Sequence, residues 1–147
     1  MKKTIYTTDN YEAFVVHKPS DTIVVSFAER KEPKPANFSG QPMLEKTGYS
    51  YCCVRSFEND WYVQKEFINC LKRISEETSK YQRVILYGFS MGSYGALRSA
   101  KELRASRVIA MAPIANIHPN CDRRWIPDYG HLIDGRDEAS LDPEILD

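Results

Sequence analysis

The sequence predicts an α/β fold: a three-layer α/β/α sandwich around a mostly parallel central sheet. Three observations carry that expectation. Short β-leaning apolar runs alternate with longer stretches of helical composition, which is the spacing of βαβ units. The run Thr22-Ile23-Val24-Val25-Ser26-Phe27 is continuously apolar rather than alternating, as strands covered on both faces are. The stretch Arg83 to Ala100, RVILYGFSMGSYGALRSA, reads as strand, tight glycine-bearing turn and helix. At 147 residues the chain can bury one core. It is read as a single domain over 1–147, with an irregular C-terminal segment over 114–147.

Taken in order, Ile5 to His17 is β-leaning around a polar Thr-Thr-Asp-Asn turn, so a hairpin or two short leading strands is expected. Thr22 to Phe27 follows Pro19-Ser20-Asp21 and reads as a buried central strand. From Ala28 to Gly48, Pro33, Pro35 and Pro42 prevent a long helix, and the charged AERKEPKP stretch suits a solvated loop. A short helical turn fits Pro42 to Lys46. Tyr49 to Arg55, YSYCCVR, is the next strand. Ser56 to Tyr81 reads as a helix capped by Asn59 or Asp60, with Val63, Phe67, Leu71 and Ile74 as its buried stripe. The helix after Ser90 carries Ala96, Ala100 and Leu103 on one face, which suits close packing on a sheet. Arg107 to Ala112 is the last clear strand, and Pro113 ends it.

Composition narrows the function classes. Lys plus Arg and Asp plus Glu both number 20, so the formal net charge is zero, and no basic stripe marks a nucleic-acid surface. The N-terminal MKKTIYTTDNYEAF has two lysines but no apolar stretch behind them, unlike a signal peptide, and no apolar run approaches a membrane span. Cys52, Cys53, Cys70 and Cys121 form no C-x-x-C pair and no disulfide framework. Reduced, mostly packed thiols in a cytoplasmic protein are expected. Cys52 and Cys53 are adjacent in a strand, so they are expected to point to opposite faces.

The chemistry-bearing motif is Gly88-Phe89-Ser90-Met91-Gly92. Strand, G-x-S-x-G, helix is the context of a nucleophile elbow. A serine on so sharp a bend has a strained backbone, and the residues two before and two after it must be small; Gly88 and Gly92 have no Cβ. The bend also sets Ser90 at a helix N-terminus, where free N–H groups favour developing negative charge. The Met91 N–H would be one donor of an oxyanion hole. A Gly-Ser turn that merely joins strand to helix is the plain alternative.

These residues resemble the α/β-hydrolase superfamily, of esterase or lipase type. The Ile23 to Phe27 strand, the elbow with its flanking elements and the Arg107 to Ala112 strand carry the resemblance. More narrowly, YGFSMGSYGAL, Asn59-Asp60-Trp61-Tyr62 and Cys121-Asp122-Arg123-Arg124-Trp125 resemble bacterial hydrolase-like proteins, some of which accompany polysaccharide genes. The resemblance implies Ser90 as nucleophile and Met91 as the first oxyanion donor. It implies a second donor on the loop after the Thr22 to Phe27 strand, the N–H of Ala28 or a neighbour, although no His-Gly-Gly-Gly motif is present there.

The family supplies an acid and then a histidine after the nucleophile, on two further strand ends. Ile114 to Asp147 holds prolines and aspartates and no convincing strand, so the last strands are expected to be lacking. Leu141-Asp142-Pro143-Glu144 has the signals of a helix start close to the end of the sequence, so a C-terminally truncated hydrolase domain is one expectation. An unsealed Arg107 to Ala112 edge would invite homodimer pairing.

The histidines are His17, His118 and His131. His17 lies on the far side from the nucleophile and reads as a surface residue. His118 follows the last strand at the active edge, as a substrate contact or a polar loop residue. His131 is the better-placed general base; with Asp134 or Asp137 it would complete a set in the order Ser-His-Asp, and triads are defined by geometry rather than order. Arg124 and Trp125 could meet an anionic or carbohydrate-like substrate group, or belong to an ordinary charged loop. His118, Cys121, Asp122 and His131 do not form a standard zinc framework, so no metal is expected.

The sequence therefore points to a serine hydrolase without metal or cofactor, acting on an ester or thioester of a small acyl or carbohydrate-linked substrate. The alternative is a non-catalytic binding or accessory module that keeps the elbow but has an incomplete triad. A Ser–Asp dyad acyl hydrolase of patatin-like type also uses G-x-S-x-G, but expects an upstream Gly-rich oxyanion loop that this chain lacks.

Overall fold

The computed structural model describes residues 1–114 and 116–132. Its strands are β1 (Lys2–Thr7), β2 (Tyr11–Val16), β3 (Thr22–Phe27), β4 (Ser50–Ser56), β5 (Arg83–Phe89) and β6 (Arg107–Met111). The helices are α1 (Gln41–Glu45), α2 (Phe67–Thr78), α3 (Met91–Ser99) and α4 (Ile126–Tyr129). One sheet holds all six strands in the order β1-β2-β4-β3-β5-β6. The leading hairpin is antiparallel and β2 joins β4 antiparallel, while β4, β3, β5 and β6 are mutually parallel.

The strand order dictates where the helices go. The crossover from β3 to β4 steps one way along the sheet; those from β4 to β5 and from β5 to β6 step the other way. Right-handed crossovers of opposite direction lie on opposite faces. Accordingly, buried side chains of α2 (Phe67, Cys70, Ile74) and α3 (Met91, Tyr94, Ala96) share one core with Ala13, Ile23, Val25, Cys52, Val54 and Leu86. Leu44 of α1 packs on the other face with Phe14, Val24, Tyr51 and Cys53. The sheet is thus covered on both faces, unevenly among the described residues, with two long helices on one side and α1 with Phe38 on the other. Cys52 and Cys53 do fall into different cores, as the period-two pleat requires.

One expectation needs correction. The helix expected over Ser56 to Tyr81 begins only at Phe67, and neither Asn59 nor Asp60 caps it; Glu66 occupies the N-cap without a side-chain bond. Trp61, Tyr62 and Val63 are all buried, and three consecutive residues cannot share one helix stripe. Within the segment after β6, Ile117 and Tyr129 are fully buried, and the Tyr129 hydroxyl bonds the Ile117 carbonyl. The helix start expected near 141–147 lies outside the described residues. Among the described residues, no helix is long and apolar enough to cross a membrane.

At the amino ends of the strands sits a charge cluster remote from the elbow. Glu77, buried on α2, meets Lys3 Nζ at 2.9 Å, His17 Nε2 at 3.2 Å and Lys80. Burial pushes its carboxyl up, but hydrogen bonds from Lys80 and Lys3 outweigh that and bring it down to about 2. A depressed carboxyl stabilises the fold fully above its unfolded value near 4.5 and ceases to do so as pH falls through about 2. Urea denaturation between pH 6 and about pH 2 is expected to show this loss, on the order of 3 kcal/mol. Glu77→Gln should be less stable at neutral pH and should lack that part of the acid dependence.

Candidate active site

In open parallel sheets the functional crevice forms at the carboxyl ends of strands whose crossovers diverge. Here the divergence is between β3 and β5, which pair directly with Phe27 opposite Gly88. The residues just beyond these two strands, Ala28 and Ser90, are therefore brought to one edge by topology alone. Ser90 has φ 51° and ψ −119°, a conformation that non-glycine residues rarely adopt. Its N–H continues the β5–β6 ladder by donating to Met111 O at 2.9 Å, and its carbonyl accepts the Ser93 N–H at 2.9 Å. Held at both ends, the residue half-exposes its side chain at the top of the sheet.

The flanking glycines are required by backbone, not by side-chain crowding. A Cβ on Gly88 would lie 2.1 Å from Gly92 O, and one on Gly92 would lie 2.2 Å from Phe27 O and 3.2 Å from the Ala28 carbonyl carbon. The first turn of α3 thus rests directly on the peptide that leaves β3. Met91, as the first residue of α3, has an N–H for which the helix supplies no acceptor.

The loop after β3 carries the amides of Ala28 and its neighbour Glu29, between which the sequence left the second oxyanion donor open. The Ala28 N–H donates to Val54 O at 2.9 Å, extending the β3–β4 pairing, so it is already engaged. The next amide, Glu29 N–H, points to the Ser39 hydroxyl at a long 3.3 Å.

What holds that loop is a turn that the residue pattern alone assigns to a helix. Trp61 and Tyr62 both have positive φ, 56° and 57°. Asp60 stabilises the turn by accepting the Tyr62 N–H at 3.0 Å, Gln64 Nε2 at 2.9 Å and the Tyr11 hydroxyl. Burial raises the Asp60 carboxyl above its ordinary range, against the opposing pull of these donors. The turn grips the loop at several points. Asn59 accepts the Lys31 N–H and donates to Lys31 O, both at 3.1 Å. The Tyr62 hydroxyl donates to Ala28 O at 2.7 Å. Trp61 Nε1 donates to Asp128 Oδ2 at 3.0 Å, and the same carboxylate takes Arg30 Nε at 2.8 Å and Nη2 at 3.0 Å. Burial works against the Asp128 carboxylate, but Arg30 and Trp61 draw its pKa below the ordinary value. The sequence signal for this turn was the pair of turn formers Asn59-Asp60 ahead of two aromatics that break the helical stripe.

The remaining candidates are dispersed along the segment after β6. His118 Nδ1 accepts the Asn120 N–H at 3.1 Å, which places the proton of the neutral ring on Nε2. His131 is exposed in the turn after α4. Asp134, like Asp137, lies outside the described residues. Arg124 is paired with Asp122 through Nε at 2.9 Å and Nη2 at 2.6 Å, and Trp125 packs against Trp61 in a tilted arrangement with centroids 4.7 Å apart. Among the described residues, Ser90 Oγ has no hydrogen-bond partner and no group of three or more acidic, histidine or cysteine side chains could hold a metal ion.

Strand order, elbow and the placement of the loop after β3 decide the architecture. The fold is α/β-hydrolase-like. No protein-family model and no curated protein matches the chain. Solved structures do. The capsule O-acetyltransferase of Neisseria meningitidis serogroup A superposes with TM-score 0.70 at 13% identity, over 96% of this chain and 64% of its own. The Glycosylation Associate Protein complex of Streptococcus agalactiae matches with TM-score 0.65 at 20% identity, over 95% of this chain and 32% of that chain. An α/β serine hydrolase without lid from Xanthomonas campestris matches with TM-score 0.51 at 17% identity, over 80% and 62%. This α/β-hydrolase-like chain therefore spans less than two thirds of the length of each of these three structures.

The elbow contact gives a direct stability test. Gly92→Ala sets a methyl against backbone that cannot give way and is expected to cost about 3 kcal/mol or more. Gly48→Ala, with nothing within 4 Å of the added carbon, should stay within about 0.5 kcal/mol. Urea denaturation of the two variants beside the parent chain measures the difference.

Proposed function

We propose that this chain carries out acyl transfer or ester hydrolysis through Ser90. The observation that carries the reading is the Ser90 conformation itself, φ 51° and ψ −119° between Gly88 and Gly92 at the carboxyl edge of β5. Strain of this kind has a cost that a plain connecting turn need not bear, and it aims Oγ out of the sheet. The fold likeness to an O-acetyltransferase, one structure of which is in complex with CoA, and to a serine hydrolase supports an acyl ester or thioester as the substrate class.

In the proposed step, Ser90 Oγ gives its proton to a histidine while its lone pair forms the bond to the acyl carbon. The carbonyl π pair moves onto oxygen, where the Met91 N–H and a second amide from the loop after β3 stabilise it. Collapse re-forms the carbonyl and expels the leaving alkoxide or thiolate, which takes the proton from the imidazolium. Water or an acceptor hydroxyl then attacks the acyl-serine by the reverse sequence. The base is His131, with Asp134 as the acid, or His118. The Asn120 bond to His118 Nδ1 favours His131, because the neutral His118 ring must change tautomer before Nε2 can accept a proton.

A second reading has its own observation. Among the described residues β6 pairs with β5 alone, and Ile109 and Met111 on it are exposed. An apolar strand edge of this kind suits pairing with a second copy or another subunit, and one structural neighbour is itself part of a complex. In that reading the chain is a non-catalytic accessory subunit.

Labelling with a fluorophosphonate probe separates the two. Ser90 is expected to be modified in the folded chain and not after heat denaturation, with the signal absent in Ser90→Ala. His131→Ala should then slow labelling more than His118→Ala. A folded, dimeric and unlabelled protein would favour the accessory reading.

A further inference from the structure

The Tyr62 hydroxyl donates to Ala28 O at 2.7 Å, and both groups are buried. The Ala28–Glu29 peptide is trans, so its carbonyl and the Glu29 N–H point in opposite directions from one rigid plane. Fixing the carbonyl inward on Tyr62 therefore fixes the Glu29 N–H outward. There, among the described residues, it meets only the Ser39 hydroxyl, at 3.3 Å, a distance at which a hydrogen bond is weak. Ser39 is itself held in place, since Ser26 Oγ donates to its carbonyl at 2.8 Å. The Ser39 oxygen thus stands as a neutral acceptor at an amide that a negatively charged oxygen would bind more strongly.

From this geometry we infer that Tyr62 is a positioning residue for the reaction, orienting the Glu29 N–H, which would serve as the second oxyanion donor together with the Met91 N–H. The inference rests on the reading of Ser90 as nucleophile. Three contacts make the arrangement rigid. Gly92 lies against the Phe27–Ala28 peptide, which ties the loop to the elbow. A Cβ on Gly95 would lie 2.6 Å from the Tyr62 ring, so α3 is shaped to the ring that carries the hydroxyl. Asp60 holds the Tyr62 backbone N–H at 3.0 Å, which fixes the residue in its left-handed conformation. A buried tyrosine hydroxyl must find an acceptor, and here the acceptor is the carbonyl of the same peptide whose amide is the Glu29 N–H, so the bond sets the plane of that peptide.

The test compares the parent chain, Tyr62→Phe and Ser50→Ala. Ser50 is a buried hydroxyl at the amino end of β4 that accepts the Lys18 N–H at 2.8 Å, so its loss controls for a missing interior hydrogen bond far from the site. With p-nitrophenyl acetate, Tyr62→Phe is expected to lower kcat about ten- to hundredfold with KM within about twofold, and Ser50→Ala to leave both unchanged. Independently of any activity, the Glu29 amide is followed by 15N NMR. In Tyr62→Phe its resonance should shift and its hydrogen exchange should quicken by about tenfold or more, while Ser50→Ala leaves it in place. If Ser90 in the parent chain proves unreactive, the nucleophile reading falls and the oxyanion role falls with it, while the amide measurement still decides whether Tyr62 orients the Ala28–Glu29 peptide. An unaltered Glu29 amide in Tyr62→Phe, or an unaltered kcat in a reactive enzyme, overturns the inference.

Discussion

The structure depends on one backbone-to-backbone contact, the seat of Gly92 on the Phe27–Ala28 peptide. A side chain at that position would hold α3 away from the sheet, and the bend at Ser90 would open. Because β3 and β5 are hydrogen-bonded neighbours with Phe27 opposite Gly88, the contact ties the end of β3 to the first turn of α3, the helix that grows out of β5. The strain at Ser90 is sustained by that tie, by the ladder bond to Met111 and by the Ser93 bond to its carbonyl. Strained conformations persist only where the surroundings over-determine them, and these three restraints do so.

Around the contact the interior is unusually polar in its anchoring. Segment 59–62 reaches across to segment 28–31 with the Asn59 amide and the Tyr62 phenol, and both segments meet α4 at Asp128, through the Trp61 indole and Arg30. Buried polar groups are costly unless satisfied, so such a network has few alternative arrangements and specifies one loop conformation. Aromatic packing of Tyr11, Phe27, Tyr62 and Phe67 supplies the apolar body in which it is embedded. The loop over 28–31 is thereby fixed by the turn over 59–62.

Much of this could be read from the residues in order. Because period and composition are local properties, the apolar runs gave strands within a residue or two, except β1, which starts at Lys2 in a polar stretch before Ile5, and the elbow glycines flagged themselves by spacing. Cys52 and Cys53 could be assigned to opposite faces from the pleat alone. Positions governed by distant partners were not readable. Asn59 looks like a helix cap, yet its amide bonds the loop of Lys31; Asp60 looks like one too, yet it folds back on Tyr62 and Tyr11. Ala28 was the natural oxyanion donor by position, but whether its amide is spent on Val54 depends on how far the β3–β4 ladder runs. Ile117 and Tyr129 sit in a stretch of prolines and charges, and only the core they cover reveals why they are apolar.

The two adjacent thiols of β4 lead to a practical property of the molecule. Cys52 and Cys53 are neighbours in the chain but belong to separate cores, so they cannot close a bond with each other without breaking the strand. Burial raises both, Cys53 to about 11, and raises Cys70 to about 12, which keeps all three as unreactive thiols. Cys121 alone is exposed, in the turn whose amide bonds the His118 carbonyl at 2.8 Å. The protein therefore carries a natural single attachment point. A maleimide dye or spin label placed there without any mutation would report on the segment that bears both candidate histidines as ligands come and go.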